Sequence, residues 1–244
     1  MNEYGLTGYP LEHSFSRNYF AAKFKKENLS DCIFSNFPTE DINSLSIIID
    51  SHPRLKGLAV TIPHKKSIIP LLDELSEEAA AVGAVNCIRI RDRKLSGFNT
   101  DIIGFEESFK KHLNQDHRKA LVLGSGGSSL AVKYVLNKLG IESQTVSRSG
   151  SVNRSISYES LTEEVFAAHR IIINCTPVGM HPETGKCPHI PYEFISSGHY
   201  LFDLIYNPEE TLFLKKGRER GALVKNGMEM LEIQAEANWQ LWND

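Results

Sequence analysis

Residues Lys119 to Ser149 read KALVLGSGGSSLAVKYVLNKLGIESQTVSRS, and the fold is decided there. Ala120 to Leu123 is a short apolar run of the kind that forms a strand buried on both faces. It stops at Gly124-Ser125-Gly126-Gly127. From Ser128 the spacing turns helical, with Leu130, Tyr134 and Leu139 on one side. Gly140 ends that helix at a position that often needs positive φ. A second strand is predicted from Ser143 to Ser147. Strand, glycine turn, helix and strand within about thirty residues make the opening unit of a dinucleotide-binding fold.

Gly124 allows the tight reversal, and Gly126 lets the backbone approach a pyrophosphate with no Cβ in the way. The helix that starts beside Ser125, Gly127 and Ser128 offers its first N–H groups and its positive dipole end. The match to G-x-G-x-x-G is incomplete, because Ser129 stands at the third glycine; Gly127 and Ala131 are the small residues for close helix–strand packing. The competing reading is an ordinary strand-to-helix turn. An NAD site wants Asp or Glu about 20 residues beyond the glycines. Here the second strand ends in Ser147-Arg148-Ser149, and the next acid is Glu159. Arg148 can stack on adenine or fork onto a 2′-phosphate, helped by the two serines and by Arg154, or it is a solvated loop arginine. The missing acid favours NADP over NAD.

A length of 244 residues suits one large domain or two modest ones. With 41% hydrophobic and 23% charged residues, the composition is that of a globular protein. The formal net charge of −3 argues against nucleic acid or an anionic membrane as the main partner. No apolar run reaches membrane-spanning length, and MNEYGLTGYPLEHS lacks the layout of a signal peptide. Cys32, Cys87, Cys175 and Cys187 form no CxxC pair, so reduced thiols and a cytoplasmic location are expected. The scattered histidines offer no metal-ligand spacing, and no metal is expected.

The first hundred residues alternate strands and helices. Strands are predicted at Glu3 to Gly8, Cys32 to Phe37, Leu58 to Ile62 and Val85 to Ile90. Helices are predicted from a cap at Ser16 through Leu29, from Asp41 to Asp50, and from Ile68 to Leu75. This βαβαβ order predicts a parallel sheet that receives ligands at the strands' carboxyl ends. Polar residues gather just after those strands: Ser14 and Ser16, then Thr61, His64 and Lys65, then Asn86, and then Asn99, Thr100 and Asp101. Such a lining suits a small hydroxylated molecule, each of whose groups needs a partner once water is excluded. Each also has a plainer role: Ser16 and Asp101 as helix caps, Thr61, Asn86 and Asn99 as turn residues. Lys65 near a helix start is harder to explain structurally, since the dipole there disfavours a cation.

These pieces together resemble the shikimate dehydrogenase family over almost the whole chain. The motifs read GYPLEHSFS, VTIPHK, GAVN, NTDIIGF, LGSGGSSLA, NCTPVGM, DLIYNPEETLFL and NGMEMLEIQA, in the family's order. The resemblance implies NADPH-dependent reversible reduction of 3-dehydroshikimate to shikimate, a step towards chorismate and the aromatic amino acids. It implies a two-domain α/β protein. A discontinuous substrate-binding and catalytic domain, residues 1–101 and 226–244, flanks a Rossmann-type NADP-binding domain, residues 102–225. Lys65 and Asp101 occupy the family's catalytic positions, and Ser14, Ser16, Thr61, Asn86 and Gln234 its substrate contacts. Tyr206 and Gly227 fall where the family lines its site. The chain departs from the pattern at Arg17, Phe20-Ala21 and Ala59.

Hydride reduction of a ketone leaves an alkoxide that must receive a proton, and Lys65 is the expected donor, with Asp101 orienting it. In the C-terminal half, strands are predicted at Arg170 to Cys175 and Leu201 to Leu204. The loop NCTPVGM brings Thr176 to the nicotinamide unless it is an ordinary loop. A helix is expected from near Glu209, and a last one from Gly227 to Trp242 with Met228, Leu231, Ala235, Trp239 and Trp242 inward. Gln234 on its flank can reach a ligand or face solvent. The partners expected are a small-molecule substrate and NADP(H), in a monomer or homodimer. Rival readings are a quinate/shikimate dehydrogenase that accepts NAD, and a non-catalytic NADPH-binding regulator.

Overall fold

The computed structural model describes residues 1–11, 15–148, 150 and 155–244. Ser14, Ser149 and Arg154 lie outside the described residues. The chain divides into two compact units, Met1–Thr100 with Gln234–Asp244, and Asp101–Ile233.

The first unit runs β1 (Asn2–Gly8), α1 (Phe15–Lys26), β2 (Cys32–Pro38), α2 (Leu45–Ser51), β3 (Leu55–Val60), β4 (Glu74–Leu75), α3 (Glu77–Val82), β5 (Cys87–Arg91) and β6 (Lys94–Phe98). The sheet order is β2-β1-β3-β5-β6-β4. β1 pairs in parallel with β2 and β3, as the βαβ order requires. The expected all-parallel sheet ends there, because β5 runs antiparallel to both β3 and β6. The cause is local. Asp92 and Arg93 both take positive φ, 49° and 65°, which is the two-residue hairpin turn that matches strand twist and leaves no room for a crossover helix.

Other boundaries differ for equally local reasons. α1 begins at Phe15, so Ser16 lies inside its first turn and is not the cap. The helix also stops before Leu29, because Asn28 turns left-handed (φ 56°) and the Leu29 N–H closes back on the Phe24 carbonyl at 2.9 Å. The helix expected from Asp41 starts as a 3-10 turn at Ile42–Ser44, capped by the Asp41 side chain, before α2. The helix expected from Ile68 to Leu75 is one 3-10 turn, Ile69–Leu71. Pro70 supplies no N–H there, and Glu74–Leu75 pair with Ser96 and Gly97 in the sheet instead. α3, missed in the sequence, is capped by Ser76, whose hydroxyl accepts the Ala79 N–H at 3.1 Å.

The second unit runs α4 (Asp101–Phe109), β7 (Lys119–Leu123), α5 (Gly127–Lys138), β8 (Glu142–Val146), α6 (Glu163–Ala168), β9 (Ile171–Asn174), β10 (Tyr200–Asp203), α7 (Leu212–Glu219), β11 (Leu223–Lys225) and the start of α8 (Met228–Asn243). Its sheet, β11-β10-β9-β7-β8, is parallel at every pairing. Alternation along β10 shows both faces covered: Phe202 meets Phe105 of α4 at 5.2 Å between ring centroids, while Leu201 joins Phe213 and Leu214 of α7. Gly140 closes the end of α5 with φ +71°. The inward face of α5 is Ala131, Val132, Val135 and Leu136; Leu130, Tyr134 and Leu139 are only half-buried at its flank. Apart from Leu136, small and β-branched residues take this buried stripe, as close packing of the helix favours, and Leu130, Tyr134 and Leu139 fall at the edge. α4 stops at Phe109 and tightens into a 3-10 turn, Lys110–His112. α7 is capped by Thr211, not near Glu209: the Thr211 hydroxyl accepts the Leu214 N–H at 3.3 Å.

From Gln234 onward α8 belongs to the first unit and completes its aromatic core. Tyr4 stacks on Trp242 at 5.4 Å, Phe20 on Phe34 at 4.7 Å, and the Trp242 indole N–H donates to the Ile88 carbonyl at 3.0 Å. Met230, Ala235, Ala237, Asn238 and Trp242 are the buried residues of α8, whereas Met228, Leu231 and Trp239 are half-buried. Among the described residues, no helix is long and apolar enough to cross a membrane.

Candidate active site

In the first unit the loop after β3 carries Thr61 and Lys65, and it is pinned along its length. The Thr61 N–H donates to the Thr7 carbonyl at 2.9 Å, and the buried His64 ring donates through Nε2 to the Thr39 carbonyl at 2.6 Å. The acceptor is a carbonyl, so Nε2 must carry the proton. His64 is therefore a buried strut. The Lys65 carbonyl accepts the Val85 N–H at 2.7 Å, and Asn99 donates through Nδ2 to the Ala84 carbonyl at 2.8 Å, which holds Lys65 against the segment that leads into Asn86. Lys65 itself is half-buried.

Asn86 is buried at the head of β5, where its backbone joins β3 and β6 through the Val60 N–H and the Phe98 carbonyl. Its side-chain oxygen accepts the Thr100 N–H at 2.7 Å. Its Nδ2 donates to Thr100 Oγ1 at 3.0 Å and to Gln234 Oε1 at 2.9 Å. The Thr100 hydroxyl donates onward to Asn238 Oδ1 at 2.6 Å. The structure thus joins two expected site residues, Asn86 and Gln234, with Thr100 and with Asn238, which the sequence reading missed. Its signal was spacing: Asn238 lies four residues after Gln234, on the same helix face. Ser16 and Thr61 are half-buried, in α1 and directly after β3.

In the second unit Asp101 is the first residue of α4 and is 3% exposed, a carboxylate at a helix start where the dipole favours it. Gly124 has φ +99°, and a Cβ there would lie 2.9 Å from Thr176 Cγ2, so both its conformation and its neighbour demand glycine. Gly126 precedes the first turn of α5 in extended backbone, and a Cβ built on it meets nothing within 4 Å. Gly127 and Ser128 are half-buried beside it and Ser125 is exposed. Ser129, at the third glycine of the motif, is buried and donates to the Gly126 carbonyl at 2.7 Å.

At the end of β8 the Ser147 hydroxyl pairs with that of Ser155 at 2.8 Å, and Arg148 is exposed. Burial raises the Tyr158 phenol above its ordinary range, and the Arg148 charge partly offsets this, which places the guanidinium within electrostatic reach of that ring. After β9, Thr176 is fixed by Asn174, whose Oδ1 accepts its N–H at 3.0 Å and its hydroxyl at 2.6 Å. After β10, Asp203 is fully buried, and desolvation pushes its carboxyl up to about 7 despite hydrogen bonds from Thr211, Ile205 and Asn174. Burial likewise raises the Cys175 thiol, with Asp203 and Asp101 adding to the shift. Tyr206 is half-buried on the same loop. Gly227 is buried, donates to the Ile205 carbonyl at 3.0 Å, and would place a Cβ 2.2 Å from the Leu204 carbonyl oxygen, so it packs this loop onto the start of α8.

The open space over Gly126, the unblocked N-terminal turn of the twelve-residue α5, and an exposed arginine with no acid at the end of β8 suit a phosphorylated dinucleotide. Among the described residues, no group of three or more His, Cys, Asp or Glu side chains is placed to hold a metal ion. A cavity of about 320 Å³ in the second unit, lined by Cys187, Tyr192, Lys216 and Arg220 among others, shares no residue with either set.

Residues 6–88 match the family model of the shikimate dehydrogenase substrate binding domain. The shikimate dehydrogenase (NADP(+)) of Caldanaerobacter subterraneus subsp. tengcongensis is 37% identical over 268 residues, covering 98% of this chain and 90% of that protein. The crystal structure of shikimate dehydrogenase 1 from Peptoclostridium difficile aligns with a TM-score of 0.88 at 36% identity, over 100% of this chain and 92% of that one. The Thermus thermophilus shikimate 5-dehydrogenase, in complex with NADP(H) and shikimate, aligns with a TM-score of 0.86 at 28% identity, over 99% and 93% of the two chains.

Proposed function

Because the chain belongs to the shikimate dehydrogenase family, we propose that it catalyses the reversible, NADP-linked interconversion of shikimate and 3-dehydroshikimate. The first unit takes the substrate and the second the cofactor. The observation that carries this reading is the buried amide and hydroxyl network of Asn86, Thr100, Gln234 and Asn238, set one residue along from the Val85 tether that holds Lys65.

Shikimate is a ring of hydroxyls with one carboxylate, and each group needs a partner when it leaves water. Asn86 and Gln234 offer amides already oriented by their mutual hydrogen bond. Ser14, Ser16, Thr61 and Tyr206 are the further proposed hydroxyl donors and acceptors. Lys65 carries the proton. In the reducing direction its ammonium gives a proton to the oxygen on which negative charge develops, and in the oxidising direction the amine takes it back. Asp101 is the proposed counter-charge that orients this ammonium and accepts from a substrate hydroxyl.

The nicotinamide, when bound, supplies or accepts the hydride. The loop Gly124, Ser125, Gly126, Gly127 and Ser128 would hold the pyrophosphate on the N–H groups of α5. Ser147, Arg148 and Ser149 would hold the adenosine 2′-phosphate, for which a guanidinium fork is suited and an acid would not be. Thr176 and Gly227 flank the nicotinamide end. The four free thiols, Cys32, Cys87, Cys175 and Cys187, support a reducing compartment, the cytoplasm, and a monomer or homodimer is the proposed form.

The test is a steady-state assay of nucleotide reduction with shikimate or quinate, each with NADP or NAD. Shikimate with NADP should give the highest kcat/KM. A preference for quinate with NAD would assign the chain to the broader quinate/shikimate activity, and NADPH binding without turnover of any substrate would make it a regulator.

A further inference from the structure

Thr176 Cγ2 occupies the space that a Cβ on Gly124 would need, so the placement of Thr176 decides the floor of the glycine turn. That placement comes from a neighbour. The Thr176 N–H and hydroxyl both donate to Asn174 Oδ1, at 3.0 and 2.6 Å, and the Val178 N–H donates to Thr176 Oγ1 at 3.3 Å. A carboxamide can accept both bonds only with its oxygen turned to the loop, so its NH₂ must face β10. Asp203 meets it there: the two residues are register partners of β10 and β9, and Asn174 Nδ2 donates to Asp203 Oδ1 at 3.0 Å. That oxygen also takes the Ile205 N–H and so acts as an acceptor on this side whether or not Oδ2 carries a proton, and a flipped amide would set oxygen against oxygen. The same Oδ1 accepts the Ile205 N–H at 3.0 Å, one residue before Tyr206, and Oδ2 accepts the Thr211 hydroxyl at 2.6 Å.

We propose that Asp203 is a positioning residue for the nicotinamide end of the cofactor site: through Asn174 it sets Thr176 against the Gly124 turn, and through Ile205 it orients the loop that carries Tyr206. This rests on the reading of the second unit as the NADP site. Stability alone does not call for a carboxylate at this place. The β9–β10 ladder already joins the strands, and a well-packed apolar side chain avoids the desolvation cost of a fully buried acid. What the acid adds is a short second hold on the Asn174 amide, beside the longer 3.5 Å bond from Nδ2 to the Val178 carbonyl.

The experiment is NADPH affinity by nucleotide fluorescence, with melting temperature and the KM of shikimate measured alongside. Asp203→Ala and Asn174→Ala should each weaken NADPH binding by about tenfold, through the freed loop. The KM of shikimate should change by less than about twofold. Asp203→Asn should restore NADPH affinity, because its oxygen still accepts from Asn174 while its NH₂ donates to Thr211. Thr211→Val, which removes only the third arm and the α7 cap, should lower the melting temperature and leave the affinity unchanged. If Asp203→Ala does not fold, Asn174→Ala and the Thr211→Val contrast decide. Wild type that binds NADPH together with unchanged affinity in the folded alanine variants would overturn the positioning role alone. A wild type that binds no NADPH would overturn the cofactor reading and this proposal with it.

Discussion

Asn86 Nδ2 donates to Gln234 Oε1 at 2.9 Å, joining the head of β5 to a helix 148 residues later in the chain. The same side chain holds the Thr100 N–H at 2.7 Å. A buried donor whose acceptor is deleted loses about 1–3 kcal/mol. Asn86→Ala should therefore destabilise the protein by roughly that amount and also raise the KM of shikimate. Urea unfolding and steady-state kinetics check the two halves separately. A stable variant with normal KM would remove Asn86 from the site.

Arg148 is the exposed cation that stands where an NAD enzyme places its acid. Hydrogen bonds to charged groups contribute about 1.5–3 kcal/mol, or roughly ten- to a hundredfold in affinity. Arg148→Ala should raise the KM of NADP by about that factor and leave the KM of NAD nearly unchanged. An equal loss for both cofactors would mean that the guanidinium serves the adenine and not the 2′-phosphate.

Gly124 takes φ +99°, and a Cβ there would lie 2.9 Å from Thr176 Cγ2. Gly124→Ala adds both left-handed strain and an overlap, so it should cost about 1–3 kcal/mol in stability. NADPH affinity should fall with it. Thermal melting with and without NADPH provides the measurement, and a variant with unchanged melting and ligand-induced stabilisation would contradict the assigned geometry.

Asp203 gives a pH dependence whose sign is fixed. Burial pushes its carboxyl up to about 7, against about 3.9 in an unfolded chain. Between those values the native state keeps a proton that the unfolded state has released, so this contribution is full below about pH 4 and is lost as pH rises towards 7. Cys175 and Tyr192, the titratable neighbours, are held neutral by burial across that window. Thr211, Asn174 and the Ile205 N–H are the polar groups that face it. The melting temperature of wild type relative to Asp203→Asn should decline from pH 4 to pH 7 and then level. A constant difference would mean that Asp203 titrates normally.

The second unit was largely legible because β7, the glycine turn, α5 and β8 are consecutive, and each carries its own signal: an apolar run, glycines, helical spacing, Gly140. The reversal at Asp92-Arg93 was not legible, since two polar residues in left-handed conformation leave no hydrophobic pattern behind. The α5 face differs from the expected one because its buried stripe, Ala131, Val132, Val135 and Leu136, is mostly small and β-branched, which hydrophobicity alone does not weigh. Asn86 and Gln234 could be listed from sequence as polar candidates. Their joining through Thr100 and Asn238 could not, because it depends on α8 returning to the first unit from Gln234 onward.

The central claim is that Lys65 performs proton transfer to and from shikimate with NADP as the hydride partner. Its most direct test is the reduced-nicotinamide absorbance produced from shikimate and NADP by wild type and by Lys65→Ala, with shikimate binding measured in parallel. Wild type should turn over, and kcat should fall about 10²–10⁴-fold in the variant, with shikimate affinity little changed. Near-normal turnover by Lys65→Ala, or none by wild type, would contradict it.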